Sequence, residues 1–307
     1  MSDSSSEHLQ KNLAKCLPEL INFFNNPEKI AAQLLENLNK TENMNEIRGS
    51  AYILAGFIKG LGVKTIEKLK IFDFLGQIIE EKKKETNRKY AIITLMNALT
   101  ENLGKLFEPY FIQTLELLMN FFGDNNQEVR LASLRCTKTM MTFLSAYGVK
   151  RILPLLLKGI EEKTWRAKVA SISVLGNMAY CAPKQLSTSL PQIVPNLAKA
   201  LSDVHPAVCE RGSQALAEIG STIQSPEISD ISDILIRALS NPYDENKKGL
   251  EVLLKTEFVH YIDTAALSLI MPTIEYGLRN RETAARLKGC QLVGTFTKLI
   301  KNPEDLE

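Results

Sequence analysis

Apolar side chains recur every three or four residues along nearly the whole chain, and two-residue alternation is almost absent. That period marks amphipathic helices rather than strands. The segments AYILAGFIKGLG (51–62), YAIITLMNALTENLG (90–104) and SQALAEIGSTI (213–223) each carry an apolar stripe. Small residues interrupt each stripe where a neighbouring helix must approach closely. Leu, Ile, Ala, Lys and Glu, all good or tolerable helix formers, supply nearly half of the sequence.

The helices come in pairs, and the pairs repeat. A landmark recurs in which an apolar or small residue precedes a basic one, then a small one, then Leu-Gly or an equivalent. It stands in EIRGSAYILAG (46–56), EVRLASLRC (128–136), RAKVASISVLG (166–176), ERGSQALAEIG (210–220) and AARLKGCQLVG (284–294), with weaker copies at 86–96 and 245–254. Successive copies lie roughly 36 to 44 residues apart, the period of HEAT or armadillo arrays. A shorter helix with a proline (Pro109, Pro154, Pro195 or Pro272) precedes several copies and is the first helix of a pair.

The turns GDNNQEVR (123–130), SDVHPAV (202–208) and PYDENKK (242–248) offer Asp and Asn side chains to the free amides that open the second helix. Pro206 fits a first helical turn. On this period about seven helix pairs fit between residues 34 and 301, and stacked pairs share a core that no single pair can build. The expected fold is all-α, an α-solenoid of about seven HEAT-type helix pairs. Its organisation is a disordered or loosely ordered N-terminal segment over 1–15 and a HEAT-repeat array over 16–307. The glycines of KGLGVK end a helix, with a C-cap role. The run EEKKKETNRK (80–89) reads as a charged, solvated turn with Glu–Lys pairing, and phosphate contact is the alternative.

Composition narrows the function classes. The 307 residues are 45% apolar and 23% charged, and 37 basic against 35 acidic residues give a formal charge of +2. That balance excludes disorder as the main state and a protein that wraps nucleic acid over its whole surface. No apolar run approaches the ~20 residues of a transmembrane helix, and MSDSSSEHLQ lacks the pattern of a signal peptide. Five widely spaced cysteines (Cys16, Cys136, Cys181, Cys209, Cys290) and three histidines (His8, His205, His260) form no CxxC pair, metal-ligand spacing or nucleophile–base arrangement. There is no GxxxxGK[ST], GxSxG, kinase signature or HExxH. Glu161 and Glu162 lie in a solvated inter-helix turn and read as an unremarkable carboxylate pair. Trp165, the single tryptophan, is expected to plug the junction between the two helices of its own pair. No catalytic residue, cofactor site, metal site or small-molecule substrate is expected, and the chain reads as a non-enzyme.

A solenoid offers a long surface instead of a pocket. Basic residues recur near the starts of the second helices: Arg48, Arg130, Arg166, Lys168, Arg211, Lys247, Lys248, Arg286 and Lys288. Positive charge there opposes the helix dipole, so another interaction must hold it. Two accounts stand side by side. The ladder bonds acids or carbonyls of neighbouring repeats, or it contacts phosphate or an acidic partner.

Several strings are more specific than the landmark: NLGKLFEPYF (102–111), FFGDNNQEVR (121–130), YGVKRILPLLLKGIEEKTWRAKVASISVLGNMAYCAPKQL (147–186), LPQIVPNLAKALSDVHPAV (190–208) and KTEFVHYIDTAALSLIMP (255–272). From Ile47 to the end, in consistent order, they resemble the elongation-factor-three-like HEAT segment of the large eukaryotic translational activator of general amino-acid control. The resemblance implies a non-catalytic cytoplasmic scaffold that engages ribosomes through protein or rRNA, together with an ABC-F ATPase. It also implies support for activation of the initiation factor two α kinase, with the sensor kinase bound through a region outside this chain. The ATPase cassettes of elongation factor three are absent. Two basic clusters are the candidate contacts: Lys150, Arg151, Lys163, Arg166 and Lys168, then Arg279, Arg281, Arg286 and Lys288. The alternative is a transport-type HEAT adaptor that holds a peptide or protein partner. Import receptors of that kind are markedly acidic, whereas this chain is neutral to slightly basic.

Overall fold

The computed structural model describes residues 6–40, 43–81, 86–181, 183–223, 225–258, 262 and 264–299. Among the described residues every regular element is helical, and the chain is an α-solenoid of HEAT-type pairs. It divides into two compact units, Met1–Ile152 and Leu153–Glu307.

In the first unit, α1 (Glu7–Leu20) precedes the pair α2 (Pro27–Lys40) and α3 (Met44–Leu61). A single turn, α4 (Thr65–Lys68), leads to α5 (Ile71–Glu81) with α6 (Thr86–Leu103), and then α7 (Phe111–Phe122) with α8 (Gln127–Met141). Helix α9 (Ala146–Ile160) begins in this unit and ends in the second, where α10 (Trp165–Cys181) follows it. After the short α11 (Pro183–Ser187) come α12 (Leu190–Ala200) with α13 (Pro206–Gly220), α14 (Pro226–Ser240) with α15 (Asn246–Lys255), and α16 (Thr264–Leu278) with α17 (Thr283–Leu299). Among the described residues seven pairs result, as the repeat period requires.

The helices form because their apolar residues line one face. In α13 the buried positions Val208, Gly212, Ala215, Leu216 and Ile219 follow a helical stripe. Helix α10, which packs on α13, is buried nearly all round, whereas α13 is buried along one stripe only. Each Leu or Ile fully withdrawn from water there contributes roughly 1.5–3 kcal/mol. Second helices stack on one another: α3 on α6 and α6 on α8 in the first unit, α10 on α13 and α15 on α17 in the second.

Three features depart from the simple repeat. Helix α1 begins at Glu7 and packs on α3 in the manner of a preceding second helix. Gly56 permits that approach, since a Cβ there would stand 2.6 Å from the Ala14 carbonyl oxygen. Helix α16 packs on both α12 and α14 as well as on α15 and α17, so Ala265, Ala266, Leu267, Leu269 and Ile270 are all buried. The run 80–89 is not one solvated turn. Thr86–Lys89 open α6, and Arg88 is buried with its Nη1 donating to Leu38 O at 3.0 Å; residues 82–85 lie outside the described residues. The Gly62 C-cap is borne by the backbone, at φ 97° with its N–H donating to Ile58 O at 2.9 Å.

Candidate functional site

Three inter-helix turns share one construction, whereas the turn of PYDENKK does not. There Asn241 Nδ2 donates to Asp244 Oδ2, and Glu245 at the start of α15 makes no side-chain cap, so the expected Asp or Asn cap is not formed. In the other three, the side-chain oxygens of Asp124, Asp203 and Asn280 accept from the backbone N–H two residues on, at 2.9, 2.9 and 3.0 Å. Two residues after each Asp, Asn126 Oδ1 and His205 Nδ1 accept from Glu128 N and Ala207 N, which caps α8 and α13. Side chains one turn into the helix then satisfy the turn carbonyls: Arg130 reaches Asp124 O and Asn125 O, Cys209 reaches Asp203 O, and Arg286 reaches Asn280 O and Arg281 O.

Onto these turns reach lysines from one repeat earlier. Lys89 bonds Asp124 at 2.5 Å, Lys168 bonds Asp203 at 2.6 Å and Lys247 bonds Glu282 at 2.6 Å, each 35 residues ahead. The hydrogen bond from Lys168, helped by the His205 backbone N–H, holds the Asp203 carboxyl below the usual carboxylate range. In the opposite direction Arg48 Nε donates to Gln10 Oε1 at 2.7 Å, and Arg211 Nε donates to Ser173 Oγ at 2.9 Å, each 38 residues back. Arg211 also grips Glu218 with both terminal nitrogens, at 3.0 and 2.9 Å. The pair fits because Gly176 of α10 lacks a Cβ that would overlap Glu218 Oε2.

Among the ladder cations, therefore, Arg48, Arg130, Lys168, Arg211, Lys247, Lys248, Arg286 and Lys288 bond protein partners, Lys248 to Glu245 and Lys288 to Glu251. The hydrogen bond from Lys288 lowers the pKa of Glu251. Arg166 instead lies over the Trp165 ring, 5.4 Å from its centroid. Trp165 does not plug its own pair. It is 40% exposed and stacks on His205 of the following turn, with centroids 4.1 Å apart and planes 11° from parallel. A ring at the first position of α10 points along the turn edge, where the neighbouring imidazole is the available flat surface.

The nine candidate contacts thus fall into different environments. In the first unit, Lys150 and Arg151 are exposed on α9, and Arg151 stands 5.9 Å from the ring centroid of exposed Tyr147. In the second unit, Lys168, Arg286 and Lys288 are internally bonded and Arg166 is stacked on Trp165. Lys163, Arg279 and Arg281 are exposed there. Among the described residues, Lys150, Lys163, Arg279 and Arg281 make no side-chain hydrogen bond or ion pair. The acidic partners were missed in the sequence, although the 35-residue spacing of Lys89, Lys168 and Lys247 from Asp124, Asp203 and Glu282 could have found them.

A second polar cluster ties α1 to α3 and α6. Lys11 pairs with Glu7 at 3.0 Å and Glu101 at 3.2 Å, and Tyr52 donates to Glu7 at 3.3 Å. The hydrogen bond from Lys11 outweighs burial and lowers the pKa of Glu7. Burial first, then the Glu101 charge, push Tyr52 up to about 12. Desolvation opposes the Lys11 charge, but Glu7 and its neighbours raise its pKa nonetheless. These groups fasten α1 to α3 and α6. Cys136 is fully buried, and burial followed by the Glu101 charge pushes its thiol far up, which leaves it unreactive at neutral pH. Among the described residues no cluster of His, Cys, Asp and Glu could hold a metal, and no helix is long and apolar enough to cross a membrane. His260 lies outside the described residues.

Comparison with known proteins adds a family to this geometry. Residues 47–216 match the family described as EF3 N-terminal HEAT repeat, and residues 245–307 match elongation factor 3/GNC1 HEAT repeat. The chain is 42% identical over 96% of its length to the stalled ribosome sensor GCN1 of Homo sapiens. It is likewise 42% identical over 98% of its length to the eIF-2-alpha kinase activator GCN1 of Dictyostelium discoideum. It spans 11% of the length of each relative. Among solved structures, Kap121p bound to Ste12p superposes on 98% of this chain and 33% of its own, with a TM-score of 0.55 at 13% identity. That last likeness concerns the helical-repeat fold alone.

Proposed function

Because the chain belongs to the elongation factor 3 N-terminal HEAT-repeat family, we propose that it is a non-catalytic scaffold segment of a translational activator that engages ribosomes in the cytoplasm. Through that engagement it supports activation of the initiation factor two α kinase under amino-acid starvation, with an ABC-F ATPase as a second partner. The kinase itself is reached through other parts of the longer protein. One observation carries the reading: nearly the whole chain aligns with proteins named for sensing stalled ribosomes and activating the kinase.

The geometry supports a division of labour among the cations. Lysines and arginines bonded at the repeat seams hold one pair against the next. The exposed cations Lys150, Lys163, Arg279 and Arg281 are available to phosphates or to an acidic ribosomal protein. Phosphate contacts release condensed counterions, so an affinity built on them falls steeply as salt rises.

Cosedimentation with ribosomes at about 0.1 M salt tests this reading. The wild-type chain is expected in the ribosomal pellet. A variant carrying Lys150→Glu, Lys163→Glu and Arg281→Glu is expected in the supernatant with its helical circular dichroism unchanged. Pelleting of that variant at wild-type yield rejects the electrostatic contact, and absence of the wild-type chain from the pellet rejects ribosome engagement by this segment. Affinity capture on the immobilised chain, read for an ABC-F ATPase, checks the second partner.

A further inference from the structure

Between α12 and α16 of the second unit runs an open groove of about 710 Å³. Its apolar walls include Pro191 and Pro195 on one side and Met271, Pro272 and Tyr276 on the other. Pro191, Pro195, Met271 and Tyr276 are exposed, Met271 by 42%. The groove exists because α16 packs against α12 as well as α14, a departure from the plain repeat that leaves the outer sides of α12 and α16 facing each other. Lys199 and Arg279 line it too, against a single acid, Glu275. Among the described residues neither cation makes a side-chain hydrogen bond or ion pair.

From this juxtaposition we infer that the α12–α16 groove is a docking site for an amphipathic helical segment of a partner protein, one whose apolar stripe is flanked by acidic residues. The walls are helices whose backbone amides are already used, and three of the lining residues are prolines without an N–H. An extended peptide would find no ladder to join there, whereas a helix satisfies its own backbone and needs only an apolar trough. Exposed walls along two helices fit a macromolecular segment better than a small molecule, which a pocket encloses on most sides. Charge selects the occupant: Lys199 and Arg279 attract acidic flanks and repel basic ones. This deepens the scaffold reading by naming the partner chemistry for one groove. Its test contains no ribosome, so its failure and a failure of ribosome engagement are separately visible.

The probe is a fluorescein-labelled helical peptide of about 16 residues, long enough to hold a helix, with Leu at i, i+3, i+4 and i+7 and Glu on the flanks. A control peptide carries Lys in place of Glu. Fluorescence anisotropy with the full chain should show saturable binding of the acidic peptide and at least about tenfold weaker binding of the basic one. Met271→Glu should weaken the acidic peptide about tenfold or more. The double variant Lys199→Glu with Arg279→Glu should reverse the preference. All three side chains are exposed, so the variants keep the wild-type helical signal. No saturable binding of the acidic peptide, equal affinity for both peptides, or wild-type affinity in Met271→Glu each overturns the proposal.

Discussion

Lys163 and Lys168 stand five residues apart in the second unit, one in the turn before α10 and one in its first turns. Lys168 is largely covered and bonded to Asp203 at 2.6 Å, while Lys163 is exposed and makes no side-chain bond among the described residues. Arg281 and Arg286 repeat the contrast at the last pair, where Arg286 closes its own turn and Arg281 faces solvent. The same residue type therefore does two jobs according to register. At these two places the cation inside the second helix bonds a turn acid or turn carbonyls, whereas the cation in the turn is exposed and makes no side-chain bond among the described residues.

The contrast breaks most visibly at Arg211. Arg211→Met leaves Glu218 without its bidentate partner and Ser173 without its donor, in a seam where the Arg211 and Glu218 side chains are 16% and 23% exposed. Stability should fall by about 2–4 kcal/mol, read as a lower urea midpoint. A smaller loss, about 1–3 kcal/mol, is expected for Gly56→Ala, whose added methyl meets the Ala14 backbone carbonyl, which yields less readily than a side chain.

Lys168→Gln should lower stability by about 1 kcal/mol, because the ion pair disappears while Asp203 still caps His205 N. The same pair predicts an acid limb. Asp203 has a folded pKa below its unfolded one, so its stabilisation is full above the unfolded value near 4 and is lost as pH falls through the folded value. Asp203→Asn should flatten the decline of stability below about pH 4 relative to wild type. At the far end of the scale, Lys163→Glu and Arg281→Glu should each shift stability by less than about 0.5 kcal/mol. A larger loss at either position would erase the distinction between seam and turn.

Much of the seam was legible in the sequence. The landmark and its period predict about seven pairs, and GDNNQEVR predicts the cap that Asn126 forms, whereas at SDVHPAV the cap of α13 is His205 and Asp203 accepts from the His205 N–H instead. The basic ladder was also legible, with two explanations open, but the bonds from Lys168 to Asp203 and from Arg211 to Ser173 exist only once the repeats stack. Trp165 was misplaced because helical periodicity ranks residues by face and says little about a ring at the first position of a helix. Helix α1 was missed as a packing partner of α3 because EHLQKNLAKCLPEL carries no copy of the landmark, and its role rests on Ala14, Gln10 and the glycine opposite them. The α12–α16 groove was invisible for another reason: a repeat period predicts neighbours in order, and α16 also packs against α12, outside that order.

The most direct test of the division between seam and turn is the salt dependence of ribosome binding. Log affinity against log salt concentration is compared for wild type, for Lys168→Gln, and for Lys150→Glu with Lys163→Glu and Arg281→Glu. The account predicts that Lys168→Gln keeps the wild-type slope and that the triple variant has a slope shallower by about two to three, one for each phosphate no longer neutralised. A triple variant with the wild-type slope, or a slope that collapses in Lys168→Gln alone, would contradict it.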